Sequence, residues 1–233
     1  MRKFMLVFGL LLIGVAVAVV VIGLQNTEKI PYEVHEVPQD RAADANGEEV
    51  GIDWDSLPES VVAWVRVPGT TVDYPIVREE ADNVSFYLEH DMNGDYSAWG
   101  TPYIDAGCEK GVESPLVMVY GHHMSDGTMF APLAQYSDAA FAEEHETIYV
   151  YTRTNTYKLR VFAVDVLDAS VEGVQTGITD ADALQSYLAS KLSDCEVVLE
   201  QPGALDQAWA FITCSYETGN SRTVVYAADA DAL

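Results

Sequence analysis

The chain has 233 residues, and its 37 acidic and 12 basic side chains give a formal net charge of −25 at pH 7. Because 49% of the residues are hydrophobic, the sequence is too apolar for an intrinsically disordered protein. The excess of negative charge argues against a protein that binds nucleic-acid phosphates. Without an apolar N-terminal segment and an acidic linker, about 175 residues remain, which is enough for one folded domain.

The N-terminus carries an uncharged apolar run, Phe4–Leu24, which directly follows Arg2 and Lys3. As a helix this run would span about 32 Å, close to the hydrocarbon thickness of a bilayer. It is longer than the apolar core of a cleavable signal peptide, so residues 1–24 are predicted to form an uncleaved signal anchor. The preceding cations keep the N-terminus in the cytoplasm. The predicted location is therefore the cell membrane, single-pass, with the rest of the chain outside the cell.

Residues 25–50 are rich in Asp and Glu, contain two prolines and show no sustained apolar period. Such a composition predicts an extracellular linker that leads to a folded domain over residues 51–233. The C-terminal sequence AADADAL has neither an apolar tail nor basic residues. We therefore expect no second anchor and no cell-wall sorting signal on this chain.

Seven short runs are rich in β-branched and aromatic residues and are bounded by Gly, Pro, Asp or Asn. These features are typical of β-strands, and so many short strands predict a barrel or a sandwich. The runs are Val61–Val67, Val72–Val77, Leu116–Tyr120, Thr147–Thr152, Tyr157–Val164, Ala208–Cys214 and Thr223–Ala227.

Helical patterns are fewer and do not alternate regularly with the strands, as they would in a parallel α/β protein. In the strongest of them, Thr179 and Asp182 fit a capping box, and leucines and a tyrosine recur at helical spacing. The sequence thus predicts a mostly β core with peripheral helices at Asp82–Glu89, Met129–Tyr136, Asp138–Glu144 and Thr179–Leu192.

The three cysteines are an odd number for a domain predicted to be exported. Cys108 and Cys195 could form a disulfide, although a domain of this size does not need one. Cys214 ends the apolar run AWAFIT and precedes the polar sequence SYETGNSR. This position, where a buried strand emerges into a loop, suits a reactive thiol, but it also fits a buried structural cysteine.

Arg222 follows Cys214 by eight residues and begins the next apolar run, TVVYA. Two antiparallel strands joined by the intervening loop would place the two residues side by side. An arginine next to a thiol favours the thiolate and can donate hydrogen bonds to a developing oxyanion. The alternative is an arginine paired with surface carboxylates.

His122 and His123 follow the apolar run LVMVY and Gly121, which is expected to let the backbone turn sharply. A cysteine nucleophile needs a histidine that is distant in sequence but near in space. Adjacent histidines and Asp126 also suggest a metal, yet neighbouring side chains on a strand point to opposite faces, so no metal site is predicted. Asp91–Asp95 resembles the start of a calcium loop, but its glycine is misplaced and a turn is predicted.

Four segments together resemble class B sortases, the thiol transpeptidases of the outer face of Gram-positive membranes. VVAWVRVPGTTVDYPIV (61–77) and FYLEHDMNGDYSAWGTPYID (86–105) match structural signatures. The catalytic signatures are matched by VYGHHMSDGTMF (119–130), similar to "Y-G-H-N-M-x-D-G-x-M-F", and by ITCSYETGNSRTVVYA (212–227), similar to "T-C-x-Y … R-x-V-V-x-A". The resemblance implies a closed barrel of about eight strands, with a few peripheral helices.

The resemblance also implies roles for individual residues. Cys214 would be the nucleophile, His122 the catalytic imidazole and Arg222 the cationic stabiliser. His123 stands where the family often has Asn, so we expect a neighbour without an essential role. Three further residues are expected to lie near the substrate or the oxyanion: Thr213, Ser215, at a position where some members carry Asp, and Tyr216.

The function implied is transpeptidation. The enzyme would cleave a C-terminal sorting motif of exported proteins after Thr, through a thioacyl intermediate, and transfer the product to an amine of the cell-wall precursor or of a pilin. No cofactor is expected. A membrane-tethered cysteine endopeptidase, with water as the acceptor, would use the same residues. A non-enzymatic surface binding domain, in which Cys214 is structural, is the other alternative.

Overall fold

The structure is a computed structural model that describes residues 51–170, 176–215 and 220–233. The predicted signal anchor and linker, residues 1–50, lie outside the described residues. Within the described ranges, no helix is both long and apolar enough to cross a membrane.

In the described residues nine β-strands form one sheet, in the order β5-β1-β2-β3-β4-β8-β9-β6-β7. Pairing between β5 and β6 closes the first eight of these into a barrel, while β7 adds to one side of β6. Closure leaves those eight strands without a free edge. The prediction of a mostly β fold with a barrel of about eight strands is confirmed. The strands are β1 (Val61–Arg66), β2 (Asp73–Arg78), β3 (Tyr103–Ile104), β4 (Leu116–Gly121), β5 (Thr147–Tyr151), β6 (Thr156–Asp168), β7 (Val197–Val198), β8 (Ala208–Ser215) and β9 (Ser221–Asp229).

Each of the seven runs predicted from sequence forms a strand. The two that the pattern missed, β3 and β7, have two residues each. A period of two cannot be recognised over a single repeat. Two of the strand pairs, β2–β3 and β4–β8, are parallel, and the other pairs are antiparallel.

Strands β8 and β9 are buried along nearly their whole length, because both of their faces are covered. The barrel core lies on one side, and a 3-10 helix at Ala131–Ser137 packs against both strands. A second helix, α2 (Ala181–Lys191), contacts β9 through a hydrogen bond of 2.7 Å between the hydroxyls of Tyr187 and Tyr226. This packing stabilises the register of the β8–β9 hairpin, which positions the residues next to the loop that joins the two strands.

Helix α1 (Ala139–Glu144) begins after Asp138, whose side chain accepts hydrogen bonds from the backbone N–H groups of Ala140 and Phe141. The prediction of a helix over Asp138–Glu144 is confirmed. For α2 the helix is confirmed, but its predicted capping box is wrong. Asp180 caps this helix and accepts from the backbone nitrogen of Ala183 at 2.8 Å, because the helix begins one residue later than the box requires.

The other two predicted helices are shorter and tighter than expected. Met129–Tyr136 is replaced by the 3-10 helix at Ala131–Ser137. Asp82–Glu89 is reduced to a 3-10 helix at Phe86–Leu88. Ser85, which precedes this helix, has a left-handed backbone with φ of 67°, and that conformation ends any regular helix on its N-terminal side.

All three thiols are unpaired in the structure. The Sγ atom of Cys108 is buried and donates to the carbonyl of Leu116 at 3.3 Å. Cys195 follows α2 and donates to the carbonyl of Lys191 at 3.4 Å. The structure therefore does not join Cys108 to Cys195.

Candidate active site

Cys214 and Arg222 face each other across the hairpin of β8 and β9. The register pairs Thr213 with Thr223, Cys214 with Arg222, and then Ser215 with Ser221. Side chains directly opposite each other in antiparallel strands share one face, with Cβ atoms about 4.5–5.5 Å apart. Both side chains are half-buried, so a ligand can approach them. The juxtaposition expected from the sequence is thus confirmed.

His122 lies on the other side of Cys214, because β4 pairs in parallel with β8. That ladder ends where Gly121 pairs with Thr213. His122 and Cys214 are the next residues along these two neighbouring strands. Cys214 therefore lies between β4, which leads to His122, and β9, whose second residue is Arg222. A thiol next to an imidazole can act as a nucleophile in acyl transfer, and a guanidinium can stabilise the oxyanion that forms.

The ring of His122 is held by a main-chain group. Its Nε2 atom lies 2.7 Å from the carbonyl oxygen of Leu88, the last residue of the 3-10 helix at Phe86–Leu88. A carbonyl only accepts hydrogen bonds, so Nε2 carries the hydrogen. Nδ1 is then the nitrogen that can exchange a proton with a reacting group.

His123 has a different partner, the backbone of Cys214. Its Nδ1 atom lies 2.8 Å from the carbonyl oxygen of Cys214 and donates to it. The side chain of His123 therefore ties the end of β4 to the end of β8, beyond the last backbone pair of the ladder. The two adjacent histidines are thus distinct: one is oriented by Leu88, and the other is bonded to the backbone of Cys214.

Gly121 serves a purpose other than the sharp turn expected from the sequence. A Cβ atom at this position would lie 2.6 Å from ring carbons of Phe130, far inside van der Waals contact. The backbone nitrogen of Phe130 also donates to the carbonyl of His122 at 2.8 Å. The glycine is required because Phe130 packs directly on the strand that delivers His122.

The guanidinium of Arg222 is oriented by neutral acceptors. Its Nη1 atom donates to Oδ1 of Asn220 at 3.3 Å and to the carbonyl of Ser221 at 3.1 Å. Among the residues that the structure describes, Arg222 makes no salt bridge. The alternative of an arginine paired with surface carboxylates therefore finds no support in the described part of the chain.

The three further candidates lie in different surroundings. Thr213 is 1% exposed, and its hydroxyl has no hydrogen-bond partner among the described residues. Because side chains alternate along a strand, Thr213 and Cys214 occupy opposite faces of β8, an arrangement that disfavours direct contact between Thr213 and a substrate. The backbone of Ser215 ends β8, and Tyr216 lies outside the described residues. The roles of all three stay predictions.

In the described ranges, no group of three or more His, Cys, Asp or Glu side chains is arranged to hold a metal ion. The calcium-like sequence Asp91–Asp95 forms the predicted turn. Oδ1 of Asp91 accepts from the backbone nitrogens of Asn93 and Asp95 at 2.8 and 3.0 Å.

Sequence reasoning missed two residues near the site. Leu88 contributes a main-chain carbonyl, so its side chain gives no signal. Tyr103 is buried next to the site: burial raises its pKa, and the charges of Glu79, Asp105 and Cys214 raise it further. The match of residues 86–105 to a structural signature was the only signal that this segment adjoins the site.

Comparison with known proteins identifies the family. Residues 65–230 match the Sortase domain family. Sortase B of Listeria monocytogenes is 28% identical over 136 residues, which cover 58% of this chain and 54% of that protein. Sortase B of Staphylococcus aureus is 24% identical over 181 residues, 74% of this chain and 71% of that protein. The chain thus spans about half the length of the Listeria relative in this match.

Solved structures of sortase B have the same fold as this chain. Sortase B from Clostridium perfringens superposes with a TM-score of 0.63 at 24% identity, over 72% of this chain and 92% of that one. Sortase B of Bacillus anthracis in complex with AAEK2 gives 0.63 at 26% identity, over 72% and 76%. A Staphylococcus aureus sortase B–substrate complex gives 0.64 at 23% identity, over 74% and 81%. With the family match covering most of the barrel, the chain belongs to the sortase family, and its relatives place it in class B.

Proposed function

We propose that this chain is a cysteine transpeptidase that cleaves a C-terminal sorting motif of exported proteins after Thr. One observation carries the proposal: the registers of β4–β8 and β8–β9 set Cys214 between His122 and Arg222. Membership of the sortase family supports it, and so does the substrate complex of the Staphylococcus aureus relative.

In the first step, the thiolate of Cys214 attacks the carbonyl carbon of the Thr residue and forms a tetrahedral oxyanion. Arg222 stabilises this oxyanion with its charge and with oriented N–H donors. The bond between the Thr carbonyl carbon and the next residue's nitrogen then breaks. The products are a thioacyl enzyme and an amine.

His122 supplies the proton that the departing amine needs. In the imidazolium form, both ring nitrogens carry hydrogens. Nε2 stays bonded to the carbonyl of Leu88, so Nδ1 gives its proton to the leaving nitrogen. A second amine, from a peptidoglycan precursor or a pilin lysine, attacks the thioacyl carbon. It returns a proton to His122 and restores the thiolate. The exchange of one amide for another uses only these side chains.

Product analysis tests this function against the two alternatives. The full chain in detergent is incubated with peptides that carry Thr-containing sorting sequences, with and without an amine acceptor, and the products are identified by mass spectrometry. A transpeptidase gives the Thr–amine adduct and depends on Cys214. Hydrolysis alone, even with excess amine, would identify an endopeptidase. No cleavage together with an inert Cys214 thiol would favour the binding domain.

We further propose that residues 1–24 anchor the protein in the cell membrane and that the barrel lies outside, attached through residues 25–50. Its partners would then be exported proteins with a C-terminal sorting signal. Protease added to intact cells should release the barrel by cutting within the linker, because the acidic, proline-containing sequence of residues 25–50 predicts no packed core. A cytoplasmic protein serves as the control for intact membranes. Release only after the membrane is broken would reverse the proposed orientation.

A further inference from the structure

Glu79 is a buried acid that the proposed mechanism does not use. It directly follows β2, and 4% of its surface is exposed. Its backbone nitrogen donates to the carbonyl of Ile104 at the end of β3. Among the described residues, Glu79 makes no salt bridge. A carboxylate in this situation must be stabilised by hydrogen bonds.

The two carboxylate oxygens bridge two separate segments of the chain. Oε1 accepts a hydrogen bond from the backbone nitrogen of Ser85, and Oε2 accepts one from that of Ala106 at 3.2 Å. Hydrogen bonds from neutral N–H groups to a charged acceptor are stronger than those between neutral groups. Glu79 therefore fastens the segment around Ser85 to the segment that follows β3.

Ser85 is the residue at which the 3-10 helix of Phe86–Leu88 begins. Its backbone is left-handed, a conformation that is strained for a non-glycine residue and persists only when its surroundings hold it. The bond to Glu79 is one such restraint. Three residues later, the carbonyl of Leu88 binds Nε2 of His122. A short series of contacts thus connects Glu79 to the ring of His122.

We propose that Glu79 is a positioning residue: its carboxylate fixes the turn from Ser85 to Leu88, so that the Leu88 carbonyl holds the Nε2–H tautomer of His122. This inference rests on the proposed function, in which His122 is the catalytic imidazole. Glu79 touches neither substrate nor reacting atoms. It acts through backbone groups, and its effect is on the orientation and tautomer of one ring.

The test uses Glu79→Gln in the full chain. Glutamine keeps one carbonyl oxygen but turns an NH₂ group toward the second backbone N–H, so one of the two segments loses its acceptor. Imidazole ¹⁵N NMR at alkaline pH, where the rings are neutral, reports the tautomer of His122, assigned by comparison with His122→Ala. The wild type should show Nε2–H, and Glu79→Gln a mixture of the two tautomers. The value of kcat should fall about ten- to hundred-fold with little change in KM.

Asp91→Asn is the matched control. Asp91 is also a buried acid, 8% exposed, and accepts from two backbone nitrogens, but both bonds go to the same oxygen, which asparagine retains. The variant removes the same formal charge from another buried position. It should leave the tautomer and kcat unchanged. If Glu79→Gln does not fold, Glu79→Asp carries the same test, since it keeps the charge but cannot span both segments.

An unchanged tautomer and unchanged kcat in a folded Glu79 variant would overturn the positioning role while leaving the proposed function intact. Equal losses in the Glu79 and Asp91 variants would also overturn it, because they would indicate a general effect of removing buried charge. If the wild type catalysed no transfer, the proposed function would fail. The tautomer measurement would still decide whether Glu79 orients His122.

Discussion

The end of β8 and the end of α2 each present a cysteine, and the two surroundings have opposite electrostatic character. Cys214 is paired in register with Arg222. Cys195 lies among acids: burial, and then the charges of Asp165 and Glu196, raise its pKa to about 12. Fold position alone does not distinguish them, because both are half-buried. A neighbouring cation favours a thiolate and neighbouring acids disfavour one, so the two surroundings suit different roles.

Cys108 adds a third case. Burial raises its pKa to about 11, and its sulfur both donates to and accepts from the backbone of β4. A thiol that is buried and hydrogen-bonded in this way packs as a small apolar side chain. The contrast between Cys214 and the other two cysteines can be tested by changes whose expected effects on activity decrease in the order given below.

The largest effect is expected for Cys214→Ala. Removal of the nucleophile should reduce transpeptidation by about 10⁴-fold or more. The barrel should remain folded, because the side chain lies at a strand end and loses one sulfur atom. Cys195→Ala is the matched control and should retain wild-type turnover. Activity in the Cys214 variant, measured as Thr–amine adduct by mass spectrometry, would contradict the assignment of the nucleophile.

Thiol labelling sharpens the same contrast without mutation. A raised pKa lowers the fraction of a thiol that is ionised at a given pH. Cys108 and Cys195 therefore stay mostly protonated below about pH 11 and pH 12 respectively. At pH 8, Cys195 should react with iodoacetamide on the order of a thousand-fold more slowly than an ordinary exposed thiol. Peptide mapping should find the label on Cys214 in the folded protein and on all three cysteines after denaturation. Rapid labelling of Cys195 in the folded state would show that the two regions do not differ as described.

The next effect concerns the imidazole next to Cys214. His122→Ala should reduce kcat/KM about a hundred-fold or more, because it removes the group that protonates the leaving amine. Substrates with a leaving group that needs no proton, such as a thioester, should be affected much less. A loss of the same size for amide and thioester substrates would argue against a role in proton transfer.

The sequence predicted the parts of this site that depend on strand register. Cys214 ends one apolar run, and Arg222 begins the next one after a short loop. Their pairing therefore followed from the predicted hairpin. The long strands were predicted for the same reason: they repeat a period of two often enough to be seen. A strand such as β3, with two residues, carries no such pattern, and its place follows from its neighbours in the closed barrel.

Contacts made by main-chain groups could not be predicted. The carbonyl of Leu88 lies 2.7 Å from Nε2 of His122, three residues after a left-handed Ser85, and neither residue type requires that conformation. The bond from His123 to the carbonyl of Cys214 depends on how far β4 and β8 extend beyond their last pair. Glu79 follows the apolar run Val72–Val77 but stands among charged residues, so the sequence gives no sign that its side chain is buried.

Arg222→Lys tests what the cation contributes to the region of Cys214. Lysine keeps the charge but lacks the planar group that offers two parallel N–H donors. If Arg222 binds the oxyanion by oriented hydrogen bonds, turnover should fall by at least about ten-fold. The upper range of the loss is about a hundred- to thousand-fold, which is the usual effect of removing an oxyanion donor. The rate of Cys214 alkylation should change little. Near wild-type turnover would leave Arg222 as a source of positive potential alone.

The smallest effect is expected at His123. We expect its hydrogen bond to the carbonyl of Cys214 to orient the backbone of that residue and to take no part in proton transfer. Loss of one such bond is worth about 0.5–1.5 kcal/mol, so His123→Ala should slow turnover roughly two- to ten-fold. His123→Asn should restore most of the rate, because its amide can donate to the same carbonyl. His145→Ala is the control. His145 directly follows α1, and its Nδ1 atom bonds the carbonyl of Phe141 in that helix and not that of Cys214. A loss at His123 as large as that at His122 would contradict the assignment of the two histidines. If His123→Asn does not restore the rate, the lost hydrogen bond is not the cause of the slower turnover.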